Sequence, residues 1–126
     1  MIDIGHNMGR KVVVVLSAMN QPLGYAIGNA LEVKEAIATL RGEGPDDLVE
    51  LCLTVGSYML LLAEKVESIK AGKSLLQEIL ESGAAFEKFQ ELIHSQEGDV
   101  VQTKDPDLLP RSRHTRAFTS LSLIHI

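Results

Sequence analysis

An apolar run that leads into a loop and then a helix constrains the fold of this chain more than any other feature. Residues 12–16 read Val-Val-Val-Val-Leu and lack the polar–apolar alternation of a half-exposed strand. The run predicts an inner strand of a parallel sheet at about 11–16, buried on both faces. Pro22 and Gly24 should end it, since proline lacks an N–H and glycine tolerates positive φ. Open α/β sheets bind ligands at the carboxyl ends of their strands, so we expect any site in this loop.

Four helices are predicted after the loop, so the expected fold class is α/β, with one strand followed by four helices. Apolar residues at three- and four-residue spacing, with acids or proline near the starts, mark these helices. The second is apolar around most of its circumference and should be central to the packing. A lone inner strand has no neighbours for its backbone groups, so we interpret the domain as incomplete. The expected helices span about 28–41, 45–66, 68–81 and 84–95.

The expected domain organisation follows from the length and from a change in composition. A chain of 126 residues suffices for one domain with its own core. Residues 1–95 should form the partial α/β domain, beginning with the tail of a helix. Residues 96–116 turn to Gly, Asp, Lys and Pro and should form a linker. Residues 117–126 resemble translated sequencing-adapter read-through; we expect this tail to be non-native and give it no functional weight.

Composition excludes several classes of function. With 17 acids against 12 bases, the chain offers no broad attraction to nucleic acid or to an anionic membrane surface. The apolar stretch at 51–63 is shorter than the roughly 20 residues of a membrane span, and no secretory signal precedes it. Cys52 is the single cysteine, so no disulfide forms within the chain, and a cytoplasmic location is expected. Its leucine-rich surroundings predict a buried, inert thiol.

The loop and the helix after it are the arrangement that most suggests ligand binding. Loop carbonyls closed by the carboxylate of Glu35 can hold a hard cation through oxygen atoms alone. The alternative is a turn whose glycines serve only geometry, with Glu35 solvated, and spacing alone favours that alternative. Gly24 and Gly28 do not form a GxGxxG pattern, so no dinucleotide site is indicated.

Other reactive side chains suggest no complete catalytic set. No histidine stands at metal-ligand spacing from another or from Cys52, and His94 on a helix flank is interpreted as a surface residue. Asp46, Asp47 and Glu50 resemble paired carboxylates, but compensation of the helix dipole explains them. The four histidines are His6, His94, His114 and His125.

A long segment carries a family resemblance. Residues 19–37 read Met-Asn-Gln-Pro-Leu-Gly-Tyr-Ala-Ile-Gly-Asn-Ala-Leu-Glu-Val-Lys-Glu-Ala-Ile and closely resemble the pyrimidine-nucleoside phosphorylases and their thymidine phosphorylase relatives. The similarity extends to about Arg113. It implies reversible phosphorolysis, in which thymidine or uridine and phosphate give the free base and (deoxy)ribose 1-phosphate. It also implies a homodimer whose subunits combine a helical, a large α/β and a C-terminal α+β domain. This chain would be an interior slice, the later part of the large domain, with the C-terminal domain missing.

The resemblance also implies a partial potassium site. In the family, two main-chain carbonyls of this loop and a carboxylate on the next helix hold a potassium ion, and these positions match Leu23, Ala26 and Glu35. With the resemblance, the cation interpretation outweighs the purely geometric one. The remaining potassium ligands, the phosphate loop and the residues that grip the pyrimidine are absent from the sequence. We therefore expect no catalytic or substrate-binding residues here and no activity of the isolated chain.

Two other interpretations remain open. One is a fragment similar to anthranilate phosphoribosyltransferase, which shares the large-domain architecture, although the loop Gln-Pro-Leu-Gly-Tyr-Ala argues against it. The other is a non-catalytic helical interaction module whose apolar surface is covered by a partner. For the isolated chain we expect exposed apolar surface and a tendency to associate.

Overall fold

The described part of the chain, residues 2–120 of a computed structural model, consists of helices joined by loops. Its elements are α1 (Ile2–Asn7), α2 (Asn29–Leu40), α3 (Asp46–Leu62), α4 (Ile69–Glu81), α5 (Ala84–Ser95), α6 (Val101–Lys104) and a 3₁₀ helix (Pro106–Leu108).

The predicted strand is not present, so the α/β fold class is wrong for this structure. Residues 11–16 adopt no regular structure, and residues 2–120 contain no strand. An extended segment becomes a strand only when a neighbour accepts and donates its backbone hydrogen bonds, and no described segment does so. The apolar side chains consequently face solvent, with Val14 54% and Leu16 93% exposed.

The four predicted helices are confirmed, with one early ending. The second was expected to continue to Val66, but α3 ends at Leu62. Glu64 takes a left-handed φ of 57°, and the Lys65 N–H bonds back to the Leu60 carbonyl at 2.9 Å. This pattern closes a helix end by satisfying its last carbonyls. Ser68 then starts α4 by accepting the Ala71 N–H at 3.1 Å.

The most extensive contact between helices in the described residues is that of α3 with α4. Gly72 of α4 lies against Ser57 of α3, so near that a Cβ on Gly72 would stand 3.0 Å from the Ser57 Cα. Ser57 is fully buried. Its hydroxyl donates to the Leu53 carbonyl on its own helix. Small residues on both sides thus let the two helix backbones approach closely.

Part of the predicted linker is docked on the helices. Arg41 at the end of α2 donates from Nη2 to the Thr103 carbonyl at 2.9 Å and to the Lys104 carbonyl at 3.2 Å. Gln90 of α5 donates to the Thr103 hydroxyl at 2.9 Å. Thr103 is 4% exposed. Residues 101–108 are therefore held against α2 and α5, while the domain limits expected from the sequence stay predictions.

The helices bury few apolar side chains, and the exposed apolar surface that the sequence analysis expects is present. The accessible surface is 10402 Å², whereas a folded monomer of this mass exposes about 6,600 Å². Ile37 is the large apolar side chain that residues 2–120 bury, at 1% exposure. The expectation that Cys52 is buried is wrong: its thiol is exposed, because no described element covers that side of α3.

Two further expectations concern membranes and the tail. Within residues 2–120, every helix is too short or too polar to cross a membrane. Residues 117–120 are exposed and form no helix. The rest of the tail that we interpreted as non-native, residues 121–126, lies outside the described residues.

Candidate functional site

The carboxylate of Glu35 organises the loop that precedes α2. Its Oε1 atom accepts the backbone N–H of Tyr25 at 2.9 Å and that of Ala26 at 3.0 Å. The loop can fold back in this way because Gly28, at the start of α2, has a φ of 123° that other residues rarely adopt. The half-buried Glu35 is therefore a loop anchor and not a freely solvated helix residue.

Gly24 is the point of closest approach between the loop and Glu35. Its φ is 70°, and a Cβ built on it would overlap Oε2 of Glu35. A side chain at position 24 would meet both backbone strain and the carboxylate. Glycine at this position avoids both the backbone strain and a displacement of the carboxylate.

Asp47 provides a second anchor that the sequence analysis missed. Its Oδ2 accepts the Gly24 N–H at 3.1 Å. Its Oδ1 accepts the Leu48 N–H at 2.9 Å. Its position in the sequence predicts only compensation of the helix dipole. No local spacing in the sequence signals this contact, because the two residues are brought together by the turn between α2 and α3.

The structure brings the three predicted cation ligands to one cleft. Leu23, Ala26 and Glu35 line an open cleft of about 790 Å³, which α5 closes on one side with Phe89. Leu23 also lines a second cleft, of about 980 Å³, together with Asp47 and Glu50. The loop at Leu23 therefore forms a wall between the two.

The donor set suits a hard cation. Two peptide carbonyls and a carboxylate present oxygen alone, which is the ligand type that such ions prefer. Oε1 of Glu35 is engaged by backbone N–H groups, whereas Oε2 accepts no hydrogen bond from the described residues. Oε2 is thus the atom of Glu35 available to a cation, and the potassium assignment itself stays a prediction.

Other reactive groups form no second site. Among residues 2–120, no group of three or more His, Cys, Asp or Glu side chains is arranged to hold a metal ion. His94 is exposed, as expected.

The carboxyl groups with shifted pKa values belong to ion pairs on the surface. A hydrogen bond from Lys73 lowers the pKa of Glu50, and a hydrogen bond from Lys11 lowers that of Glu64. A hydrogen bond from Lys34, helped by the charge of Arg111, lowers the pKa of Asp107. All three acids are exposed. Lowered pKa values keep them ionised, which suits pairing with a lysine and not general-acid catalysis.

Comparison with protein-family models matches residues 2–86 to the glycosyl transferase family, a/b domain. The chain belongs to this family. The match includes the loop and both of its anchors, Glu35 and Asp47. The family description names an α/β domain, whereas the part of this chain that the structure describes is helical.

Curated relatives refine the assignment within the glycosyl transferase family. The chain is 49% identical over 114 residues to the pyrimidine-nucleoside phosphorylase of Geobacillus stearothermophilus and 50% identical over 114 residues to that of Bacillus subtilis. Both matches cover 90% of this chain and 26% of the relative. The corresponding protein of Staphylococcus haemolyticus is 49% identical over 97% of this chain and 28% of its own length. The resemblance inferred from residues 19–37 is confirmed, and the chain spans about a quarter of these relatives.

Proposed function

We propose that this chain is part of a pyrimidine-nucleoside phosphorylase and supplies part of its monovalent-cation site. The whole enzyme would convert thymidine or uridine and phosphate to the free base and (deoxy)ribose 1-phosphate, as a cytoplasmic homodimer. Identity near 50% to relatives of that name supports the reaction. The observation that carries the site is the shared cleft of Leu23, Ala26 and Glu35.

The residues of this chain would hold and orient the cation. The carbonyl oxygens of Leu23 and Ala26 and Oε2 of Glu35 would be its ligands, and potassium fits their all-oxygen chemistry. When bound, the ion supplies positive charge that stabilises the neighbouring phosphate-binding segment. Oε1 of Glu35 meanwhile fixes the loop through the N–H groups of Tyr25 and Ala26.

The isolated chain should be inactive for a physical reason. Phosphorolysis requires phosphate and nucleoside to be held together while negative charge develops on the departing base. The groups that the resemblance assigns to these tasks are not in this sequence. The purified chain should therefore release no thymine from thymidine and phosphate.

A graft tests the proposal. Residues 2–113 would replace the matched segment of the Bacillus subtilis relative, and release of thymine and uracil would be measured at increasing KCl. We expect the grafted enzyme to be active, and Glu35→Gln to raise the KCl needed for half-maximal rate by about 10-fold, since the variant loses the charged ligand. Glu43→Gln is the matched control, because it removes the charge of an exposed residue between α2 and α3. It should leave the KCl concentration for half-maximal rate unchanged.

Two results would contradict the proposal. A folded, dimeric graft that releases neither base would argue against phosphorolysis. If the graft is active and its Glu35→Gln and Glu43→Gln variants have the same KCl dependence, the cation site is contradicted and the proposed phosphorolysis is not.

A further inference from the structure

The peptide unit between Leu23 and Gly24 is held from one side by Asp47. The Gly24 nitrogen lies 3.1 Å from Asp47 Oδ2, and the same carboxylate is itself fixed by the Leu48 N–H through Oδ1. Asp47 sits in the first turn of α3. The loop N–H therefore points at an acceptor that is itself hydrogen-bonded to the start of that helix.

This contact determines the direction of the Leu23 carbonyl. The N–H of Gly24 and the C=O of Leu23 belong to the same planar unit, and residues 2–120 contain no cis peptide bond. In a trans unit the two bonds point in opposite directions. Because the N–H points at Asp47, the carbonyl of Leu23 points away from it.

The direction of the Leu23 carbonyl matters because Leu23 lines two clefts. Asp47 lines the cleft on one side of Leu23, whereas Ala26 and Glu35 line the cleft on the other side. A carbonyl directed away from Asp47 is thus directed away from the cleft that Asp47 lines. The contacts of Glu35 with Tyr25 and Ala26 hold the following two peptide units on the opposite side of the loop.

We propose that Asp47 is a positioning residue for a monovalent-cation site, which fixes the Leu23–Gly24 peptide so that the Leu23 carbonyl is presented beside Glu35. This inference rests on the proposed function and adds to it a residue that does not touch the ion. Outer-shell residues of this kind tune metal affinity by orienting the ligands. Glu35 and Asp47 then hold the loop from two sides, one as ligand and anchor, the other as anchor alone.

Asp46 serves to separate the positioning of the Leu23–Gly24 peptide by Asp47 from the effect of a negative charge at this end of α3. It is in the same first turn of α3 and is also exposed, but it makes no hydrogen bond to the loop within residues 2–120. Asp46→Asn and Asp47→Asn remove the same charge from adjacent positions of the helix N-terminus. Their effects through the helix dipole and through long-range attraction of a cation should be similar.

The experiment is a titration of the grafted enzyme, which restores the potassium ligands that this chain lacks and is isotopically labelled at Leu23, Gly24 and Ala26 and at the α3–α4 contact, with KCl against tetramethylammonium chloride at equal ionic strength. The measured quantities are the NMR shifts of the Leu23 and Ala26 carbonyl carbons and of the Gly24 amide. We expect a saturable, potassium-specific shift in the parent graft, with the potassium affinity lowered about 10-fold by Asp47→Asn and unchanged by Asp46→Asn. The Gly24 amide shift should change in Asp47→Asn alone.

Each other outcome is decisive. Equal potassium affinity in the two asparagine variants would overturn the role of Asp47 and leave the cation site standing. Absence of any potassium-specific shift in the parent graft would overturn both, while phosphorolysis by the same graft would still be judged separately by base release. If Asp47→Asn disturbs the Ser57 and Gly72 amides at the α3–α4 contact, Asp47→Glu decides: retained affinity supports positioning, and lost affinity overturns it.

Discussion

Gly24 lies against the carboxylate of Glu35, so closely that a methyl group on Gly24 would overlap Oε2. The contact joins the loop to the second turn of α2, so a side chain at position 24 would have to displace the carboxylate. Leu23, whose carbonyl is a predicted ligand, is adjacent to this glycine. The shape of the candidate site therefore depends on a residue that contributes no ligand of its own.

The first prediction is that Gly24→Ala destabilises the loop more than backbone strain alone explains. Gly42 is the matched control, because it also has a positive φ, of 84°, but has nothing within 4 Å of a built Cβ. Left-handed strain costs about 1–2 kcal/mol for alanine. Gly42→Ala should show that loss, and Gly24→Ala should in addition increase hydrogen exchange at the Tyr25 and Ala26 amides. Equal exchange at these amides in both variants would contradict the overlap.

A second prediction concerns Glu35 as an anchor. Glu35→Ala leaves the N–H groups of Tyr25 and Ala26 without their acceptor, and hydrogen bonds to charged groups contribute about 1.5–3 kcal/mol. Hydrogen exchange of both amides should rise at least about 10-fold in the variant. Glu32→Ala is the control, since the Gly28 N–H, at 2.9 Å, is the one that Glu32 accepts within residues 2–120. Unchanged protection of the two amides in Glu35→Ala would show that they are held by something else.

The contact between α3 and α4 yields a third prediction. Alanine favours a helix over glycine by about 1 kcal/mol, so Gly72→Ala would stabilise an isolated helix. Here the new Cβ would lie 3.0 Å from both Cα and Cβ of Ser57, and overpacking costs about 1–3 kcal/mol. We expect a net loss of stability in urea unfolding, while Ser74→Ala on the exposed side of α4 should have little effect. A stabilised Gly72→Ala variant would mean that the helices separate easily.

Thr103 provides a fourth prediction. Its hydroxyl donates to the Val100 carbonyl at 2.7 Å and accepts from Gln90 at 2.9 Å. Thr103→Val keeps the shape but leaves the Gln90 amide unpaired in a largely buried place, which costs about 1–3 kcal/mol. Thr119→Val, an exposed position, should leave the unfolding midpoint unchanged. If both variants unfold alike, residues 101–108 are not tightly docked.

The fifth prediction is a dependence on pH. The pKa of Glu50 lies below its ordinary value because of Lys73, so the unfolded chain binds the proton more readily than the folded one. The stabilisation by this pair is then complete above the ordinary value and is lost as the pH falls through the lowered pKa. NMR titration should show that Lys73→Met moves the Glu50 pKa upward and leaves that of Glu64 in place. An unmoved Glu50 pKa would contradict the pairing.

The features that could be predicted from the sequence are those that local interactions determine. Helix periodicity, Ser68 as a cap and the proline before α3 depend on neighbouring residues, and the four long helices agree with them. The strand prediction from the valine run was wrong because a strand is defined by its partner strands, and local sequence does not supply them. The link between Gly24 and Asp47 and the docking of Thr103 by Arg41 join distant parts of the chain, so no spacing rule indicates them. The three predicted ligands came from family resemblance, and the structure adds how the loop around them is held.

The docked segment after α5 bears on where this polypeptide can be shortened. A cut at Ser95, the end of the last long helix, would remove the partners of the Arg41 guanidinium, which rests on the Phe86 ring, and of the Gln90 amide. The sensible place to trim is beyond Pro110, so that recombinant versions keep the short helices that Arg41 and Gln90 hold against α2 and α5.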